Sequence, residues 1–363
     1  MPPAYRYSKL FRRSRVLWGS FSLWKPRLVF WCGALAIGVI SVGFAKLADL
    51  AQKGFGSLTS SGEWAFLLPL ALSPLGFMLS AYLAATLFPN SGGSGIPQAI
   101  AARHLRDEED RTRLLSLKIA FGKIVLTALG LFSGASIGRE GPTVQVGASI
   151  MLAVARFSGM AQARGLILAG SAAGIAAAFN TPLAGIVFAI EEMSRTYESR
   201  ANGLVLTAVI LSGLAALGIS GSYNYFGMAS AAPTELRDWG LVLICGIGGG
   251  ALGAAFSGFA LHFGQKIRRW AQPEPLKRML ALAGICGLAI AVIGVASGGT
   301  DFRHWLRAST SCGRWQRPAF ALLHRKARRQ LPVHAVRYSG RDLRTVARRR
   351  RRFRQHHRLS ARH

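Results

Sequence analysis

At 363 residues, with 51% hydrophobic and only 17% charged residues and a mean hydropathy of +0.30, the chain is too apolar for an ordinary soluble protein. Its formal charge of +30 is unevenly spread: residues 302–363 hold 19 of the 45 Lys and Arg, six of the eight His and a single acid, Asp342, so this stretch carries about +18 and the rest about +12. Composition therefore argues against a nucleic-acid binder for the chain as a whole and points to an all-α polytopic membrane protein; Cys32, Cys245 and Cys286 in apolar runs and Cys312 in the basic stretch form no disulfide or zinc pattern.

Residues 1–27 carry Arg6, Lys9, Arg12, Arg13, Arg15, Lys25 and Arg27 and no acid. This excess predicts a cytoplasmic N-terminus with no cleavable leader. Alternating basic and bulky residues over 8–24 predict an amphipathic helix at the membrane surface. Apolar spans follow over 28–50, 64–88, 114–134, 145–157, 166–179, 182–197, 202–220, 239–263 and 277–298. Several are shorter than the ~20 residues a crossing needs. Those at 145–157, 166–179 and 182–197 are split by Gly, Asn and Pro, the pattern of broken helices whose ends meet an ion near the bilayer midplane.

Between the spans lie the polar elements. Residues 91–98 (Ser-Gly-Gly-Ser-Gly-Ile-Pro-Gln) predict a tight turn, with Ser94 as a hydroxyl donor and Pro97 starting a helix whose free N–H groups suit an anion. Taken alone, such a cluster reads as a plain loop. The mixed charges of 103–113 and the polar stretch 265–278, with Pro273 and Pro275, predict solvated loops. Gly138-Arg139-Glu140-Gly141-Pro142 places two charges between membrane segments, where an unpartnered ion costs about 2.5–3.5 kcal/mol. Pro142 marks the first turn of a helix, which puts Glu140 just ahead of an N-terminus that attracts either this carboxylate or a competing anion. Arg139 is expected to pair with backbone carbonyls or a carboxylate, with direct attraction of anions as its other role. The last polar element closes the segment starting at Pro182, where Glu191 and Glu192 sit about 100° apart around a helix, so at most one faces a given pore. By position alone both read as helix-end acids near Arg195.

Taken together, the Gly93–Pro97 sequence GSGIP, the Gly138–Pro142 sequence GREGP and the segment from Phe179 to the paired glutamates resemble the CLC family of chloride channels and proton-coupled chloride antiporters, over roughly residues 8–301. The resemblance implies an inverted-repeat helical bundle with broken helices. Residues 28–222 would form the first repeat and 235–300 the start of an incomplete second one. It further implies H⁺/Cl⁻ antiport in the inner membrane by a homodimer, without enzymatic activity or any cofactor or metal. By this resemblance Ser94, Gly95, Gly138, Arg139 and Gly141 would bind the anion, Glu140 would be the gating glutamate and Glu192 the proton-transfer glutamate. The second-repeat GxFxP motif and the late tyrosine of the family do not occur after residue 301.

Residues 301–363 fit neither pattern. All but one of the 19 basic residues after 301 are arginine, as a GC-rich gene read in a shifted frame produces, so a frameshift near codon 300 and a disordered tail are expected. The alternatives are an inactive product and, further off, a basic tail that binds anionic lipid or nucleic acid.

Overall fold

The computed structural model describes residues 21–62, 64–160, 163–194, 199–221 and 236–296. The basic stretch 301–363, Cys312, Arg195 and most of the expected surface helix 8–24 lie outside these residues. Among the described residues every regular element is helical.

The first helix, α1 (Phe21–Leu58), runs through Pro26 with no break at residue 28. Its buried residues Phe30, Ala34, Ile37, Ser41, Phe44, Ala48 and Phe55 recur every three or four positions and form one stripe. Leu28, Trp31, Leu35, Val39 and Leu50 face outward, as a helix with protein on one side and lipid on the other requires. After α2 (Pro69–Thr86) come two short helices, α3 (Ile96–His104) and α4 (Glu108–Leu114), and then α5 (Leu117–Phe132). Ser116 caps α5 by accepting from the Ile119 N–H at 3.3 Å.

The centre is a helix pair, α6 (Glu140–Ser158) and α7 (Ala163–Phe179), buried on every side over Pro142 to Leu152 and Leu166 to Ala178. A helix apolar all round is stable only when enclosed. Glycines make the enclosure tight. A Cβ added at Gly147 or Gly170 would strike the other's carbonyl, and one at Gly174 would strike the carbonyl of Thr143. No side chain fits between these backbones, so the seam is built on small residues. α8 (Pro182–Phe188) lies against α7 through Gly185, where a Cβ would sit 2.6 Å from Ala172 O, and α9 (Ser199–Ser220) is tied to α7 by Ser212 Oγ donating to Ala173 O at 3.0 Å.

Two further helices follow, α10 (Leu236–Ala271) and α11 (Pro275–Ala296). α11 packs on α2, with Gly287 so close to Ser73 O and Pro74 Cα that an added Cβ would lie 2.8 Å from each. The most apolar 18-residue window of α10 buries nothing among the described residues. Among the described residues six helical stretches are long and apolar enough to cross a membrane: Trp24–Leu58, Ala65–Thr86, Glu108–Phe132, Gly203–Ser220, Trp239–Ala271 and Pro275–Ala296.

Elsewhere too the structure departs from the sequence reading. The helix whose first turn was expected at Pro142, with Glu140 just ahead of it, starts at Glu140 itself, so the apolar span 145–157 is preceded by a further helical turn. The stretch 265–278 is helical up to Ala271 and breaks only at 272–274. The 103–113 segment is not a uniform solvated loop: it contains most of α4, and Arg103 is buried at the end of α3.

Candidate functional site

Ser94 and Gly95 close the turn ahead of α3. Gly93 and Gly95 take φ of +70° and +98°, left-handed values that favour glycine, and Gly95 is the residue from which α3 begins. Pro97 sits in the first turn of α3, as its sequence position predicts. Ser94 is exposed, and its backbone N–H and hydroxyl meet no acceptor among the described residues.

The start of α6 reaches the same point. A Cβ at Gly141 would lie 2.9 Å from Ser94 O and 3.2 Å from Ser94 Cβ; one at Gly95 would lie 2.8 Å from Gln145 Cβ and 3.2 Å from Gly141 O. The two glycines let the N-terminal ends of α3 and α6 touch through backbone. Two helix starts, each with its partial positive charge, thus converge beside Ser94. Glu140 folds back over Gly138, whose missing Cβ would collide with Glu140 Oε2. Its carboxylate is half-buried in the first turn of α6, one residue later in the fold than the sequence reading placed it.

Arg139 pairs with a carboxylate. Its Nη1 lies 3.5 Å from Asp49 Oδ1 on α1, with the arginine side chain 12% exposed and the aspartate 50%. The pairing anchors the 138–140 turn to α1.

Glu191 and Glu192 do not join this cluster. They are exposed on a π-helical turn, Ala189–Ser194, that continues α8, so the ordinary 100° spacing does not apply to them. The next residue is held from α3: buried Arg103 donates from Nη1 to Met193 O at 2.6 Å. Eight residues of helix separate Gly95 from Arg103, about 12 Å at 1.5 Å per residue. Ser94 and Glu192 therefore belong to opposite ends of one short helix.

Sequence reasoning missed Lys123, Gln145, Arg103 and Asp49. Lys123 is 2% exposed inside α5 and donates from Nζ to Ser91 O at 2.5 Å and Gly93 O at 2.9 Å. The signal for it was available, since a lone cation within an apolar span needs a partner. Nothing in the sequence marks Gln145 or Arg103 as buried, because both depend on which helix faces which.

Residues 75–327 match the family described as voltage gated chloride channel. The chain is 33% identical over 274 residues to the H(+)/Cl(-) exchange transporter ClcA of Salmonella typhimurium, with the same figures for ClcA of Salmonella typhi. Each match covers 72% of this chain and 57% of the relative, so the chain spans little more than half the length of these curated relatives. Among solved structures it is similar to a slow cyanobacterial Cl⁻/H⁺ antiporter, with TM-score 0.63 and 24% identity over 74% of this chain and 64% of that one. It is also similar to a CLC-type fluoride/proton antiporter, with TM-score 0.58 and 20% identity over 87% and 72% of the two chains. At these identities the structural likeness speaks to the fold alone.

Proposed function

The chain belongs to the voltage gated chloride channel (CLC) family, and from that premise we propose that it is an inner-membrane H⁺/Cl⁻ antiporter in which Ser94, Gly95, Gly138, Gly141 and Glu140 form the anion site. The observation that carries this reading is the contact between the starts of α3 and α6 at Ser94, Gly95 and Gly141, with Glu140 directly preceding Gly141 in the first turn of α6. Backbone N–H groups and a hydroxyl bind an anion strongly enough to select it and weakly enough to release it. An ionised Glu140 competes for the same donors, and protonation removes it. Chloride occupancy and protonation are thereby linked.

Arg139, held by Asp49, sets the position of the turn and adds positive potential. Glu192 exchanges protons at the far end of α3. The N-terminus is cytoplasmic and the working assembly a homodimer, as in the family resembled.

Proteoliposomes holding the full chain and loaded with chloride test the reading. Efflux is expected, faster at low pH because protonated Glu140 leaves the site, and the pH dependence disappears in Glu140→Gln. Ser94→Ala lowers the apparent chloride affinity several-fold. Glu192→Ala abolishes proton movement driven by a chloride gradient while chloride continues to pass. A chain reconstituted in folded form that shows no efflux at any pH would favour the inactive-product reading instead.

A further inference from the structure

A cavity of about 690 Å³, lined by neither Ser94 nor Glu140, opens between the start of α5 and the second half of α6. Its walls are apolar: Leu115 and Leu117 at the start of α5, and Leu152, Ala153 and Phe157 on α6. Such a volume, mostly apolar with a few placed polar groups, is that of a ligand pocket.

The polar groups are the informative part. Ser149 lines the cavity at 1% exposure, and its Oγ meets no partner among the described residues. Ser158, on the same helix, shows the usual alternative by donating to Val154 O at 2.7 Å. A buried unpaired hydroxyl is costly, and rotation about one bond turns it to an acceptor that enters the cavity. Arg156 also lines the cavity; its Nε lies 2.9 Å from Glu108 Oε1, and its two Nη groups have no partner among the described residues. Beside it, the N–H groups of Leu117 and Lys118 in the first turn of α5 meet no acceptor among the described residues.

A matching ligand is apolar over most of its length and polar at two depths. Ser149 precedes Arg156 by seven residues, about 10 Å along the axis, and the arginine side chain leans back toward it. A phospholipid has this layout, with a phosphate, then ester carbonyls, then the acyl chain. A fatty acid has one polar end only.

Charge selects among phospholipids. Gly76 faces Ser133 and Gly122 faces Phe88, so α2 and α5 run antiparallel; Gly287 against Pro74 and Gly284 against Met78 make α11 antiparallel to α2 as well. The start of α5 therefore shares one side of the bundle with the α10–α11 turn, where Lys266, Arg268, Arg269, Lys277 and Arg278 accompany a single acid, Glu274. Lys118 adds an exposed charge next to Leu117. So basic an end attracts anionic lipid.

We propose that this cavity binds one anionic phospholipid: the acyl chain lies between α5 and α6, an ester carbonyl accepts from Ser149, and Arg156 and the start of α5 hold the phosphate. Glu108 competes with the phosphate for Arg156. The site is separate from the anion site and does not depend on transport.

The test offers the full chain, stripped of lipid in detergent, dioleoyl phosphatidylglycerol, its ether-linked analogue, dioleoyl phosphatidylcholine or oleate, and counts bound lipid by native mass spectrometry. One phosphatidylglycerol per chain is expected, held at least fivefold tighter than phosphatidylcholine. Ala153→Trp fills the cavity and lowers this binding at least tenfold. Arg156→Gln lowers it at least fivefold and removes the preference over phosphatidylcholine, whereas Glu108→Gln, which frees Arg156, raises it about twofold. Ser149→Ala weakens the ester-linked lipid about threefold and leaves the ether-linked one unchanged. Binding that survives Ala153→Trp, equal affinity for the two head groups, or displacement of phosphatidylglycerol by equimolar oleate overturns the proposal, as does a Ser149→Ala loss that is the same for both linkages. Should Ala153→Trp yield no folded protein, Arg156→Gln and Glu108→Gln decide, since both side chains are more than half exposed: opposite shifts support the proposal, and unchanged binding in both overturns it.

Discussion

The α6–α7 seam and α10 are both rich in glycine, and they use it in opposite ways. In the seam, Gly147, Gly170 and Gly174 each stand where a single added carbon would strike a facing backbone. Along α10, Gly246, Gly248, Gly249, Gly250, Gly253 and Gly258 have nothing within 4 Å of the place a Cβ would occupy. A glycine count therefore does not say where helices meet. The same small-residue spacing is compatible with a closed contact or an open face, and only the partner distinguishes them.

Substitutions turn this contrast into measurements. The largest effect is expected at the seam: Gly174→Leu forces α6 and α7 apart and costs about 3 kcal/mol or more, seen as loss of monodisperse protein in detergent. Survival of Gly174→Leu with an unchanged melting temperature would break the comparison. Next, Arg103→Met removes the donor to Met193 O from a buried position and costs about 1–3 kcal/mol, with the loss of amide protection concentrated at 189–194. At α10, Gly250→Ala is expected to stabilise the helix by about 0.5–1 kcal/mol, because no contact is lost and chain entropy is reduced. Destabilisation there would mean that α10 is covered in the membrane by residues outside those described. The smallest effect belongs to Asp49→Asn, under about 1 kcal/mol, since the pair with Arg139 is half-exposed at its acidic end. Its readout is the chloride affinity, which shifts if the 138–140 turn moves.

Most of the helical order was legible from the sequence, because apolar runs of membrane length leave few alternatives. The broken segments at 145–157, 166–179 and 182–197 correspond to α6, α7 and α8 with its π-helical extension. The turn at Ser94 and the first-turn prolines Pro97, Pro142 and Pro182 were readable from local chemistry alone. What lay beyond reach was partnership. The buried state of Arg103 depends on α3 meeting the π-helical turn ninety residues later, and that of Gln145 on α6 crossing the 90–95 loop. Neither periodicity nor composition encodes such crossings. The charges of 103–113 illustrate the point: Glu108 and Asp107 are exposed as a solvated segment predicts, while Arg103 at its edge is enclosed.

The two duties of α3 also limit how this gene can change in length. Its first residue follows the Gly95 turn and its eighth, Arg103, holds the carbonyl of Met193. Inserting or deleting one residue between them would swing Arg103 by about 100° and shift it about 1.5 Å along the axis. The guanidinium would then face away from the turn that bears Glu192. Substitutions along the outer face of α3 are cheap by comparison, so a library of variants should accept changes of letter there and reject every change of length.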